Sequence, residues 1–448
     1  VNIEELREAI AAQEIDTVVV AMTDMQGRLQ GKRFHARFFL DEVVAHNTEA
    51  CAYLLAVDTD MNTVDGYTLT SWEDGYGDFM LVPDMATLRV IPWQPATALV
   101  LADVAHLDGS PVRSSPRQVL AAQLERAGAL GWTALAGTEL EFIVFEGSYE
   151  QAWDGGYRNL VPANRWNADY SVLATGRIEP LLRDIRNSMA GAGLTVESAK
   201  GECNLGQHEI AFKYADALTT SDHHSIYKTG AKEIAARHGY ALTFMAKPND
   251  REGNSCHIHL SFRTKDGEPV MAGDGPYGLS PTGARIIAGL LDGLRDLTLL
   301  FAPTINSYKR FADGSFAPTT VAWGPDNRTC ALRLVGHGPS LRVECRVPGG
   351  DVNPYLALAG LIAAALSGVS RSLELSAPVT GNAYGASGMP RVPASLHEAL
   401  GLWSSSALAA GAFGKDVVEH YANMARVELA AYGAVVTDWE LRRYFERI

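Results

Sequence analysis

The chain has 448 residues, length enough for roughly three domain-sized units, and its 47% hydrophobic and 20% charged residues can bury a large core, which excludes a disordered chain. A formal net charge of −14 excludes a nucleic-acid backbone or an anionic membrane surface as partner on field grounds, and stays compatible with cationic small molecules. The five cysteines, Cys51, Cys203, Cys256, Cys330 and Cys345, are odd in number and form no Cys-x-x-Cys pair, which fits reduced thiols and a cytoplasmic setting.

The chain opens on an acidic helical pattern, Val1–Ile10, with neither a basic segment nor an apolar core of the secretory kind, so no signal is expected there. Short apolar runs at Thr17–Ala21, Ala52–Val57, Phe79–Val82 and Thr97–Val104, separated by turn residues, predict a small sheet-rich domain over 1–111. Ser115-Pro116 gives the cap-then-proline order that starts a helix, Gln118–Leu130, in a catalytic domain over 112–448. There, strand-like runs at Thr138–Phe145, Gln207–Phe212, Leu242–Ala246, Cys256–Phe262, Thr329–Leu334 and Ser340–Val347 alternate with helical ones, an α+β pattern. Ser221-Asp222-His223-His224 has the residue types of a hydrolytic triad, but consecutive residues seldom meet in that geometry, and Thr220 or Ser221 reads as a helix cap. Tyr355–Val369 contains Gly360 and Ser367 and falls short of the ~20 residues that cross a bilayer; it reads as a buried helix with Asn353 as N-cap and Pro354 at the first helical position.

Several strands carry ionisable side chains at a period of two with apolar residues between them, which places the ionisable set on one face. Glu139 and Glu141 alternate with Leu140 and Phe142; Glu202 precedes Gln207 and Glu209 across a turn; His257, His259 and Ser261 share a face, as do Arg342, Glu344 and Arg346. If these faces converge, five carboxylates and two imidazoles need cationic compensation, because like charges repel and burial penalises them. A carboxylate-rich donor set suits Mg²⁺ or Mn²⁺ better than Zn²⁺. With Arg310, Arg328, Arg333, Arg342 and Arg346, it forms the parts of a metal-dependent phosphotransfer site. There is no Gly-x-x-x-x-Gly-Lys loop, and the glycine pairs at Gly128–Gly131 and Gly191–Gly193 do not follow a strand, so ATP would need another cradle.

Taken in order, these segments resemble the glutamine synthetase family over nearly the whole chain, from Asp24-Met25-Gln26-Gly27 to Val436-Thr437-Asp438-Trp439-Glu440. The most specific stretches are Gly201-Glu202 through Gly206-Gln207-His208-Glu209, Asn306-Ser307-Tyr308-Lys309-Arg310, Asn327-Arg328 with Arg333, and Arg342-Val343-Glu344-Cys345-Arg346 leading to Asn353-Pro354-Tyr355. The resemblance implies a small β-grasp N-terminal domain and a large catalytic domain with a curved antiparallel sheet. It also implies a homo-oligomer of two stacked hexameric rings, a dodecamer, with sites between neighbouring subunits. The implied reaction has two steps: ATP, a substrate, phosphorylates the γ-carboxylate of glutamate, and a nitrogen nucleophile displaces phosphate. By the same resemblance Glu141, Glu202 and Glu209 hold one metal and Glu139, His257 and Glu344 the other; Glu197, His259, Ser261, Arg333 and Arg342 contact ATP. Gly253, Arg310 and Arg346 bind glutamate, and Arg328 binds there too while neutralising the transferring phosphoryl group.

Three departures from the family pattern bear on the substrates, the first two on the nucleophile and the third on the contact to glutamate. Where ammonia-using relatives carry a flap glutamate in Gly-Tyr-Glu-Ala-Pro, this chain reads Gly314-Ser315-Phe316-Ala317-Pro318; where the family has Asp-Gly-Ser-Ser it reads Asp65-Gly66-Tyr67-Thr68; and Glu252-Gly253-Asn254-Ser255-Cys256 replaces an Asn-Gly-Ser-Gly-Met pattern. An aromatic ring in place of a carboxylate removes a partner for compact ammonium and offers a face to an alkylammonium. The expectation is therefore an ATP-dependent glutamate–amine ligase for ethanolamine, another monoamine or a polyamine, with Asp65, Tyr67 and Phe316 in the amine pocket and Asp65 as the base. The alternatives are a true glutamine synthetase and a non-catalytic member of the fold. Tyr384, near a position that some relatives adenylylate, reads as an ordinary loop tyrosine.

Overall fold

Strand β1 (Thr17–Thr23) is apolar along most of its length because it is central: β2 (Leu29–His35) lies antiparallel on one side, and β6 (Thr97–Ala105) lies parallel on the other, Thr17 facing Thr97. In the computed structural model, which describes residues 1–448, these strands join β3 (Thr48–Cys51), β4 (Asp78–Pro83) and β5 (Arg89–Val90) in a six-stranded sheet of order β2-β1-β6-β4-β3, with β5 paired to β6. A second sheet of ten strands is organised on β7 (Trp132–Glu146). Around it lie β8 (Val161–Pro162), β9 (Val196–Gly201), β10 (Gln207–Phe212), β11 (Ala215–Asp216), β12 (Tyr240–Thr243), β13 (Cys256–Thr264), β14 (Trp323–Pro325), β15 (Leu332–Val335) and β16 (Arg342–Cys345). Its main path runs β14-β15-β16-β13-β7-β10-β9, antiparallel except for the parallel pair β14 and β15.

The helix Pro354–Ser370 backs this arrangement and is buried on nearly every face, as its apolar sequence requires; the Asn353 side chain caps it by accepting from the amides of Tyr355 and Leu356. It packs on the helices Pro281–Gly293 and Pro116–Ala129. A Cβ on Gly368 would lie 2.1 Å from the Arg285 carbonyl oxygen and 2.6 Å from the Gly289 Cα, so the crossing has no room for one. Arg117 ties the first sheet to the helix Ala217–Arg237. Its guanidinium, 6% exposed, meets Asp84 and Asp103 of the first sheet at 2.6 and 2.7 Å and Asp222 of the helix Ala217–Arg237 at 3.1 Å, and Asp222 also accepts from the Tyr355 hydroxyl at 2.6 Å. No helix is long and apolar enough to cross a membrane.

The structure corrects several local expectations. Ala52–Val57 is not a strand: Ala52–Leu55 forms a 3-10 turn that buries Ala52 and Leu55, and a short apolar run carries no periodicity that separates the two. The long helix starts at Ala217 with Asp216 as its cap, not Thr220 or Ser221, and Ser221 donates to the Ala217 carbonyl inside it, so Ser221-Asp222-His223-His224 is helical and forms no triad. The strand expected at Leu242–Ala246 is Tyr240–Thr243. Strands β2 and β9 went unread because their sequences, LQGKRFH and VESAKG, are polar and largely solvent-facing.

Candidate active site

Register converts the period-two pattern into a site. On β7, Glu139 lies opposite His257 of β13 and Glu141 opposite Glu209 of β10, while Glu344 of β16 lies opposite both His259 and Arg333. Two groups result in which the potential ligand atoms lie within 4.8 Å of one another: Glu139, His257 and Glu344, and Glu141, Glu202 and Glu209. A third such group, Asp169, Glu202 and Cys203, shares Glu202 with the second.

In the first group His257 Nδ1 lies 3.5 Å from Glu139 and 3.4 Å from Glu344, while its buried Nε2 has no partner. Burial, reinforced by Arg346, pushes the imidazole down to about 4 against the pull of both carboxylates, so it is neutral and keeps a lone pair to donate. Glu344, fully buried, accepts from Arg333 at 2.8 Å and from Arg346; despite its burial, His257, Arg346 and His259 hold it below the ordinary carboxylate range. In the second group burial and the neighbouring Glu202 charge push Glu141 up to about 8, and burial with Glu139, Glu141 and Glu202 raises Glu209 as well. The only cation seated on this group is Lys200, bonded to Glu202. A neutral imidazole with an unpartnered nitrogen and carboxyls that cannot all ionise side by side are a donor set that fits divalent cations, and oxygen-rich donors of this kind fit Mg²⁺ or Mn²⁺.

Glu139 also lies in the wall of a cavity of about 460 Å³ with Glu197, His259, Ser261 and Arg342. Arg342 Nε donates to His259 Nδ1 at 3.1 Å, which leaves the proton of a neutral ring on Nε2, facing Glu139 at 2.9 Å. Arg333 is not in this wall; it is held by Asp326 and Glu344. The sequence reading missed Phe212, Tyr214 and Arg263, which line the cavity. Tyr214 is 56% exposed just past the end of β10, and an aromatic residue beyond a strand with no core to enter was the available signal.

At the other end Gly253 packs where a Cβ would lie 2.3 Å from the Ala246 carbonyl oxygen and 2.8 Å from Arg310 Cγ. Arg310, 2% exposed, donates to the carbonyls of Arg346, Val347 and Pro348, and its Nε and that of Arg346 have no partner. Arg328 is exposed in the turn between β14 and β15. Gln207 and Asn254, also missed, hold Glu141: Gln207 Nε2 donates to its carboxylate at 3.1 Å and to Asn254 Oδ1 at 3.0 Å, and the Ser255 amide donates to the same carboxylate oxygen at 2.6 Å.

Phe316 sits on the loop after Arg310 with φ 58°, a left-handed conformation uncommon outside glycine, and is 55% exposed. Tyr384 donates from its hydroxyl to the Ala317 carbonyl at 3.1 Å and so braces this loop. Asp65 and Tyr67 lie elsewhere in the chain. The Asp65 carbonyl accepts from Asn423 at 2.9 Å, the Tyr67 ring packs on His420 at 4.7 Å, and no hydrogen bond or ring contact joins either to Phe316 or to the two carboxylate groups.

A model of the glutamine synthetase catalytic domain matches residues 113–444. The chain is 65% identical to the gamma-glutamylethanolamide synthetase GlnA4 of Streptomyces coelicolor, covering 100% of this chain and 96% of that protein. It is 38% identical to a glutamate–isopropylamine ligase of a Pseudomonas species, covering 99% and 98%. Among solved structures, the complex of GmaS with ADP superposes with a TM-score of 0.86 at 30% identity, covering 98% of this chain and 99% of that one.

Proposed function

The chain belongs to the glutamine synthetase family, and from that premise we propose that it is an ATP-dependent ligase joining the γ-carboxylate of L-glutamate to a primary amine such as ethanolamine. The proposal rests on Glu139, which belongs both to the first carboxylate group and to the wall of the 460 Å³ cavity, so a phosphate chain entering from the cavity meets the ionisable cluster. Relatives whose names specify glutamate ligation to ethanolamine or isopropylamine support an organic amine as nucleophile. We also propose domains at 1–111 and 112–448, a dodecamer of two hexameric rings, and a cytoplasmic location.

In this reading Glu139, His257 and Glu344 hold one divalent cation, Mg²⁺ or Mn²⁺, and Glu141, Glu202 and Glu209 the other. When bound, the cations supply neutralisation of charge on the phosphates and the glutamate carboxylate. Glu197, His259, Ser261, Arg333 and Arg342 bind ATP, and Gly253, Arg310, Arg328 and Arg346 bind glutamate. The γ-carboxylate oxygen attacks the terminal phosphorus, the bond to ADP breaks, and Arg328 offsets the charge on the phosphoryl group in transit. The amine nitrogen then attacks the acyl carbon and phosphate leaves. An alkylammonium with a pKa of about 10 must first lose a proton, and we assign that proton to Asp65 of a neighbouring subunit, since the chain does not bring its own Asp65 to Phe316. The Phe316 ring takes the carbon stem.

The test is phosphate release from ATP with glutamate and ammonium, methylamine, ethanolamine, putrescine, spermidine or spermine, with product masses confirmed. An organic amine is expected to exceed ammonium in kcat/KM, and Phe316→Glu to shift the ratio toward ammonium by about tenfold, within the range from about 0.5 kcal/mol for an exposed to about 2 kcal/mol for a desolvated cation–π contact. Ammonium preferred by the unaltered chain would make it an ordinary glutamine synthetase. Tyr214→Ala is expected to raise the KM for ATP about 5- to 100-fold with kcat little changed, as loss of a stacking face worth about 1–3 kcal/mol predicts; initial rates at varied ATP check this.

The carboxyl groups give a pH signature. Glu141 titrates at 4.5 when unperturbed and at about 8 in the fold, so as pH rises through that window the metal-free fold retains a proton that the unfolded chain releases, and its stability falls. Divalent cations bind the ionised form. Thermal melts in EDTA are expected to drop in midpoint from about pH 5 to 8, and added Mg²⁺ is expected to raise the midpoint most at the alkaline end.

A further inference from the structure

A cavity of about 40 Å³ lies between the segment Val57–Tyr67, the loops that carry Thr304 and Asp351, and the helix Lys415–Gly433. Asp58, Asp351 and Glu428 line it, and no Lys, Arg or His does. Asp58 is committed to its own turn, accepting from the amides of Asp60 and Asn62 and from the Asn62 side chain. Three other groups of the lining keep an acceptor without a donor. Glu428 makes no hydrogen bond or ion pair, and its carboxyl is raised by burial and by Asp60 and Asp58. Asp351 bonds Thr304 and Ser307 through Oδ2 alone and leaves a buried Oδ1 unpartnered. Tyr67, 6% exposed, also lines the cavity with an unpartnered hydroxyl; the neighbouring Asn423 commits its amide to the Asp65 carbonyl. Met25, Val57, Met424 and Val427 supply the apolar remainder of the wall.

Buried acceptors without donors are costly; Asp351 Oδ1 and the Tyr67 hydroxyl are two such atoms, Glu428 is half-buried beside them, and this set has a matching chemistry. A primary ammonium offers three N–H donors and no acceptor, and the cavity offers Glu428, Asp351 Oδ1 and the Tyr67 hydroxyl oxygen. Thioether and valine surface suits a short carbon stem and does not suit Mg²⁺, which keeps near-octahedral oxygen ligands. By the measure in which one water needs about 10–15 Å³, the volume admits about three non-hydrogen atoms. We propose that this cavity is a binding site for a short primary alkylammonium, separate from the amine that reacts. Asp351 Oδ2 holds Ser307, at the start of the 3-10 turn that ends at Arg310, so an occupant bears on the segment assigned to glutamate.

Titration calorimetry of the full chain with ethylammonium, without ATP or glutamate, tests the site independently of turnover. Glu428→Gln and Tyr67→Phe are each expected to weaken one ethylammonium per chain at least tenfold with an unchanged thermal midpoint, and tetraethylammonium, which has no N–H, is expected not to compete. Wild-type affinity and stoichiometry in both variants would overturn the proposal. So would competition by tetraethylammonium, or a Glu428-dependent signal given by Mg²⁺ and not by ethylammonium. Loss of this binding in Glu428→Gln with the amine panel still turned over, or the reverse, separates the site from the proposed reaction.

Discussion

Glu344→Gln is expected to reduce ATP-, glutamate- and amine-dependent phosphate release by at least about 100-fold, the scale on which single electrostatic elements of a phosphotransfer or oxyanion site act. The substitution preserves shape and removes one charge. That charge is fully buried, receives hydrogen bonds from Arg333 and Arg346, and lies 3.4 Å from His257, so its loss removes one of three ligand groups and leaves two guanidinium groups with less compensation. Spectroscopic titration with Mn²⁺ gives a second readout, with the affinity of one of two sites expected to fall. Glu344→Asp, which keeps the charge at a shorter reach, is expected to retain more Mn²⁺ affinity than Glu344→Gln. Phosphate release that persists at the original rate in Glu344→Gln would show that this carboxylate does not serve the reaction.

Arg117→Leu is expected to destabilise the fold by about 3–5 kcal/mol, the range for breaking a buried pair by removing one partner. Asp222 is slightly more buried than Arg117, and burial raises its carboxyl against the stabilising pull of Arg117, which dominates the opposing interactions. Without the guanidinium its remaining close partner is the Tyr355 hydroxyl. The double variant Arg117→Leu/Asp222→Asn is therefore expected to recover part of the loss, because an amide removes the uncompensated charge. A chemical-denaturation cycle over the four proteins checks this, with a coupling energy near zero counting against the ion pair as the link between the helices Pro116–Ala129 and Ala217–Arg237.

The same two residues show where local reading stops. The segment around Asp222 reads only as the start of a helix. The role of Asp222 as the anchor for Arg117, 105 residues away, follows from the packing of Ala217–Arg237 against Pro116–Ala129 and has no sequence period. The carboxylate groups were readable for the opposite reason. Strand geometry forces residues two apart onto one face, so Glu139 with Glu141 and Arg342 with Glu344 declare themselves along the chain. Strands β2 and β9, polar and exposed, carry no such alternation and were missed.

By itself the sequence carried the motifs by which it resembles its family, and it determined the α+β class and the ionisable residues that strand periodicity places on common faces, because these last two depend on composition and on contacts a few residues apart. Tertiary structure alone decided which faces meet. Register across β7 paired Glu139 with His257 and Glu141 with Glu209, burial then lowered the His257 imidazole and raised the Glu141 and Glu209 carboxyls, and packing against Lys415–Gly433 carried Tyr67 to a second cavity away from Phe316. Registers and desolvation are set by residues far apart in the chain, 68 positions for Glu141 with Glu209 and 118 for Glu139 with His257, and no local pattern encodes them.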